Sequence, residues 1–171
     1  MSIPITLVVN GERRQVAVEP TEMLLEVLRD RLGCIGTNKV CAQGICGACT
    51  VIVDGRAATS CLLLAAQADG TDVRTVEGLE KNGALDPLQK AFINYGAVQC
   101  GFCTPGFLMT ARALLDENPT PTRDEIVDAL RGNICRCTGY VKIVEAVQAA
   151  AAASAPGTFG DRNSVSRNVR T

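Results

Sequence analysis

The chain has 171 residues, 47% of them apolar and only 4% aromatic, with a net charge of −1, nine cysteines and no histidine. That charge balance gives no electrostatic footprint for nucleic acid or an anionic membrane surface. The length suits one domain or two small ones, and two of about 75 residues each would have thin cores in need of a staple such as a bound metal.

Met1 to Leu7 lacks a charged leader and a long apolar run, so no secretory signal is visible. Arg13-Arg14 is followed by the strand-like Gln15 to Pro20 and not by an apolar signal core. No stretch reaches the length of a membrane span. The expected location is cytoplasmic, where thiols stay reduced. Nine cysteines there favour metal ligation, and an odd number fits a disulfide framework poorly.

Residues 5 to 18 alternate around Asn10-Gly11, the signal for a hairpin with a type I′ turn. Thr21 reads as an N-cap for a helix from Glu22 to Leu32, with Leu24, Leu25, Leu28 and Leu32 on one face and Gly33 at C′. Thr50 to Val53 reads as a strand turning at Asp54-Gly55, and Asp72 to Val76 as another. Hairpin, helix and short strands make an α+β pattern. Residues 77 to 84 are polar and glycine-containing, which suits a linker.

Everything after the linker reads as helix. Asp86-Pro87 opens the first, with Leu88, Ala91, Phe92 and Tyr95 inward and Gly96 as terminator. Thr104-Pro105 opens the second, carrying Phe107, Leu108, Ala111, Leu114 and Leu115 to Asn118-Pro119. Thr122 and Glu125 form a capping box for a third, with Ile126, Val127 and Leu130 inward and Gly132 closing it. A fourth runs from about Gly139 to Ala152. The pattern is a small four-helix bundle. Ser154 onward is small and polar and reads as a tail. The expected division is 1–76, linker 77–84, 85–153, and tail 154–171.

Eight cysteines fall into two sets of four. Without histidine, a metal must be held by sulfur or carboxylate, and thiolates in fours select iron–sulfur clusters or zinc. Cys41-x4-Cys46-x2-Cys49 with Cys61 further on has the spacing of plant-type 2Fe–2S ligation. Gly44 and Gly47 would let the loop wrap a cluster and point N–H groups at its sulfurs. In the second set, Cys100-x2-Cys103 lies ahead of one helix start and Cys135-x-Cys137 ahead of another, where the helix dipole favours thiolate. That spacing alone suits an iron–sulfur cluster or zinc.

Three segments occur in order: Gly44-Ile-Cys-Gly-Ala-Cys-Thr-Val51, Gln99-Cys-Gly-Phe-Cys-Thr-Pro-Gly106 and Gly132-Asn-Ile-Cys-Arg-Cys-Thr-Gly-Tyr140. Together they closely resemble the motifs of the molybdenum hydroxylase (xanthine oxidase) family, in its small iron–sulfur subunit, over about residues 3 to 152. The resemblance implies a β-grasp, plant-ferredoxin-like N-terminal domain followed by an all-α four-helix-bundle domain, each with one 2Fe–2S cluster. It implies that Cys41, Cys46, Cys49 and Cys61 ligate the first and Cys100, Cys103, Cys135 and Cys137 the second. Gln99 matches the glutamine that hydrogen-bonds the pterin, and Cys137 the cysteine whose sulfur side faces it. The implied partners are a large subunit with a molybdopterin (dinucleotide) and a medium subunit with FAD, in a heterotrimer or dimer of heterotrimers. Electrons would pass from molybdenum through the second cluster, then the first, to FAD, with no acid, base or nucleophile from this chain.

Val40 departs from the family pattern, where glycine is common, and Cys34 sits where an aliphatic residue is usual; its bland reading is a small buried hydrophobe. The competing readings are a free-standing ferredoxin, a zinc-stapled interaction module, and a relay run in reverse in a relative that reduces aromatic acyl thioesters.

Overall fold

The computed structural model describes residues 2–154; the predicted tail 154–171 lies, apart from Ser154, outside them. Asn10 and Gly11 both take positive φ (52° and 85°). That turn joins β1 (Ile3–Val9) to β2 (Glu12–Val18) with Val9 opposite Glu12 and Ile3 opposite Val18. β3 (Thr50–Val53) and β4 (Arg56–Thr59) form a second hairpin, and β5 (Asp72–Arg74) lies between the two. The sheet order is β2-β1-β5-β3-β4, with β5 parallel to β1 and antiparallel to β3. Ile5, Leu7, Val9 and Val18 alternate onto one face and bury there with Leu24, Val27, Leu28 and Cys34.

The first helix is shorter than its periodicity predicts. α1 spans Leu24–Glu26 and continues as a π-helical turn, Val27–Arg31. Thr21 is not its cap. Met23 bridges to Leu64, the Leu24 N–H donates to the Leu63 carbonyl and the Ala65 N–H to that of Glu22. Residues 22 and 23 are thus held extended by the 63–65 segment, and helix begins only at Leu24. β5 likewise ends at Arg74, because the Thr75 N–H donates to the Asn10 side chain and Val76–Gly78 turns as 3-10 helix.

Residues 77 to 84 are more ordered than a linker reading implies. Leu79 is buried, and Lys81 pairs with Ala84 around Asn82 and Gly83, both at positive φ.

Four further helices follow: α2 (Pro87–Asn94), α3 (Thr104–Glu117), α4 (Arg123–Ala129) and α5 (Val141–Ser154). Asp86 with Gln89, and Thr122 with Glu125, close capping boxes that satisfy the first N–H groups of α2 and α4. Leu88, Phe92, Phe107, Met109, Ile126, Ile143 and Val147 share one core. Val127 and Tyr95, expected inward, are exposed at 46% and 39%, because α4 and α2 each bury only a narrow stripe. α5 begins two residues later than predicted, since Gly139 and Tyr140 both have positive φ (67° and 70°), which a helix cannot hold.

The two halves are not independent. Ile52 of β3 belongs to the helical core, so α3 packs on the sheet with one side and on the helices with the other. That explains why Met109 and Ala113, off the predicted face, are also buried. Arg74 of β5 pairs with Asp116 of α3 at 3.1 Å, and Arg112 reaches the same aspartate at 2.9 Å. The described residues are thus a mixed α+β protein of one five-stranded sheet and five helices.

Candidate metal centres

Cys41, Cys46 and Cys49 lie on the loop between the first helix and β3, and Cys61 follows β4. The loop coils through positive φ at Ala42 (53°), Gly44 (72°) and Gly47 (67°). Val40 is not among these, and its side chain is 52% exposed. Glycine is therefore not required at position 40; the tight turn falls on Ala42, which composition gave no reason to pick.

The Cys41 sulfur accepts N–H groups from Gln43 and Cys46, each at 3.4 Å, and these hold its thiol down to about 6. Cys49 is buried against Cys61 and Leu25, and burial pushes its thiol up to about 11. The first set is thus an outer pair, Cys41 with Cys46, and an inner pair, Cys49 with Cys61.

The second set repeats the arrangement with different elements. Cys100 and Cys103 end the α2–α3 connection, with Cys103 as the N-cap residue of α3. Cys135 and Cys137 lie on the loop ahead of α5. The Cys137 and Cys100 sulfurs are 3.5 Å apart and both residues are exposed. Cys103 meets Cys135 further in. The two segments thus converge, with Cys100 and Cys137 exposed and Cys135 buried.

The helix N-terminus does not lower the Cys103 thiol as the dipole alone predicts. Burial, and then the neighbouring Cys135 and Cys100, push it up to about 12. Burial also pushes Cys135 up, but the Thr138 hydroxyl at 3.1 Å and N–H at 3.4 Å outweigh it and hold that thiol below its ordinary value. The Cys100 side chain beside it raises Cys137.

Among the described residues no three Cys, Asp or Glu side chains gather as around one ion; the thiols stand two by two. In a 2Fe–2S cluster four thiolates serve two irons. The donor chemistry fits as well, being all sulfur with N–H and O–H donors aimed at sulfur.

The two loops touch. The Ile134 N–H, one residue before Cys135, donates to the Cys46 carbonyl at 2.9 Å. The buried Asn133 side chain donates to the Gly47 carbonyl at 3.0 Å. A Cβ at Gly47 would strike the Gly132 carbonyl, and one at Gly106 would strike that of Gly47. Asn38 adds a side-chain bond to the Phe102 carbonyl at 2.9 Å. Gly106 and Asn133 lie in the motif segments, but no spacing rule pairs either with Gly47. Gln99 is exposed beside the exposed Cys100. Cys34 is 7% exposed in the sheet core, where burial raises its thiol.

Four thiol pairs on two abutting loops form an all-sulfur donor set of the kind that iron–sulfur proteins use. Residues 7–78 match the 2Fe-2S iron-sulfur cluster binding domain and residues 75–148 the [2Fe-2S] binding domain. The chain is 53% identical to the nicotine 6-hydroxylase small subunit of Paenarthrobacter nicotinovorans, over 94% of each chain. It is 50% identical to the nicotinate dehydrogenase small FeS subunit of Eubacterium barkeri, over 85% of this chain and 93% of that one. The crystal structure of quinoline 2-oxidoreductase from Pseudomonas putida 86 superposes with a TM-score of 0.86 at 47% identity, covering 89% of this chain and 95% of that one. The chain belongs to the iron–sulfur subunits of the molybdenum hydroxylase family. It is an electron-transfer component with two 2Fe–2S domains, and complexes of this family carry molybdopterin and FAD in partner subunits. No helix among the described residues is long and apolar enough to cross a membrane.

Proposed function

We propose that Cys41, Cys46, Cys49 and Cys61 hold one 2Fe–2S cluster and Cys100, Cys103, Cys135 and Cys137 the other, in a heterotrimer with a large molybdopterin subunit and a medium FAD subunit. When bound, the clusters supply one-electron steps. The observation that carries this reading is the two-by-two pairing of thiols in both sets, on loops joined by the Ile134 N–H to Cys46 carbonyl bond. Exposed Cys100, Cys137 and Gln99 form the face offered to the pterin. The half-exposed Cys41 and Cys46 form the exit toward flavin. The linked loops give electrons a covalent and hydrogen-bonded path between the sets.

The reading divides the chain into residues 1–76 and 85–153 joined by 77–84, with α2 to α5 as the four-helix bundle. It places the complex in the cytoplasm, in keeping with nine free thiols. Substrate choice rests with the large subunit. The relatives here are named for nicotine and nicotinate.

The test is Cys46→Ser in the purified complex. It should remove one of two 2Fe–2S EPR signals, lower the iron from about four per chain, and stop delivery of electrons to flavin while molybdenum content is kept. Unchanged turnover with the natural acceptor would refute the relay.

A further inference from the structure

We infer that Thr138 sets the reduction potential of the C-terminal centre through its hydroxyl, which Tyr140 holds in position. This rests on the assignment of Cys135 as a cluster ligand. Thr138 Oγ1 lies 3.1 Å from the Cys135 sulfur. A ligating thiolate carries no proton and only accepts, so the hydroxyl is the donor in this pair. Its direction is fixed from the other side, because the Tyr140 N–H donates to the same Oγ1 at 3.3 Å. With that lone pair taken, the hydroxyl proton is turned toward sulfur.

Tyr140 reaches this position at a cost. Its φ of 70° is left-handed, a conformation that strains a bulky aromatic residue. Two contacts hold it: the Cys135 N–H donates to its hydroxyl at 3.0 Å, and its ring meets Phe107 edge-on with centroids 6.1 Å apart. The strained residue thus clasps Cys135 through the backbone and Thr138 through its own N–H.

Reduction adds one electron and so one negative charge to the centre, and no bond to Thr138 forms or breaks. A donor to the ligand sulfur stabilises the reduced state more than the oxidised one and raises the potential. At Cys41 of the N-terminal set the donors are instead the backbone N–H groups of Gln43 and Cys46, which substitution cannot remove. Thr138, half-buried, is a side-chain donor to a ligand sulfur of the C-terminal set and can be deleted on its own.

The experiment is potentiometric EPR on the complex carrying Thr138→Val or Thr138→Ser. The signal of the C-terminal centre is identified as the one retained in Cys46→Ser. Valine should shift the oxidised-to-reduced ratio about tenfold toward oxidised at a fixed ambient potential, or ~59 mV lower for a one-electron couple. Serine should restore the native value, and the other signal should stay in place. An unshifted midpoint in valine, a serine midpoint as low as valine, or parallel movement of both signals overturns the inference. If valine prevents loading, Thr138→Ala takes its place with the same expectation. Absence of a second signal in the native complex would instead overturn the ligand assignment on which the inference rests.

Discussion

Gly106 sits in the first turn of α3, where helix propensity alone says that alanine should stabilise by about 1 kcal/mol. The structure reverses that sign. A Cβ at position 106 would run into the backbone carbonyl of Gly47 and crowd the Ala48 Cα, and neither is a flexible side-chain end that can swing away. Overpacking of this kind costs about 1–3 kcal/mol. Moving the Gly47 carbonyl also strains the bond from Asn133, whose side chain is 96% buried, as its 4% exposure shows. A buried amide left unsatisfied adds about 1–3 kcal/mol. Against the propensity gain, Gly106→Ala should therefore lose about 1–5 kcal/mol, which in a chain of this size lowers Tm by about 2–20 °C. The assay is thermal unfolding of the cluster-loaded complex by circular dichroism under matched conditions. The control is Gly132→Ala, where φ is ordinary and no atom lies within 4 Å of the added Cβ. It should be neutral or stabilise slightly. A Gly106→Ala chain as stable as the native one, or more so, would refute the close-approach reasoning.

Two other outcomes are expected. Gln99→Ala should weaken pterin retention about 10–100-fold, read as molybdenum content after gel filtration at low concentration, with both EPR signals intact. The Thr122 N–H and hydroxyl depress the pKa of the Glu125 carboxyl. Because its folded value lies below the unfolded one, the stabilisation is complete at neutral pH and lost as pH falls through the ordinary glutamate range and then the depressed value. Hydrogen exchange at the Glu125 amide should accelerate relative to its intrinsic rate across that window, and Thr122→Val should abolish the pH dependence.

The sequence makes legible what is decided within a few residues. Asn10-Gly11, Asp86-Pro87 and Thr122 with Glu125 announce a turn and two helix starts, and each is where its chemistry puts it. The lost detail is set by distant partners. Periodicity extends the first helix back to Glu22, but Leu63, Leu64 and Ala65 hold residues 22 and 23 extended, so it starts at Leu24. Val127 fits the helical stripe, yet nothing packs over it. The cysteine spacing identifies two sets of four; it does not say that Cys103 meets Cys135 while Cys100 meets Cys137. Nor does it show that burial overrides the helix dipole at Cys103. Ala42 and Tyr140 at positive φ are invisible to a reading that assigns such conformations to glycine.

The bond from Asn133 to Gly47 spans 86 residues. It gives the protein a biosynthetic clock. All four N-terminal thiols exist once Cys61 has been made, but the loop that abuts Cys46 and Gly47 follows about 70 residues later. At about 5–20 residues per second of synthesis, that leaves roughly 4–14 s in which the first sulfur loop stands uncovered. After that, α3 and the 132–134 segment close over one side of it. On the proposed ligand assignment, iron and sulfide would meet an open loop around Cys41 and Cys46 on the nascent chain and a partly walled one on the finished protein.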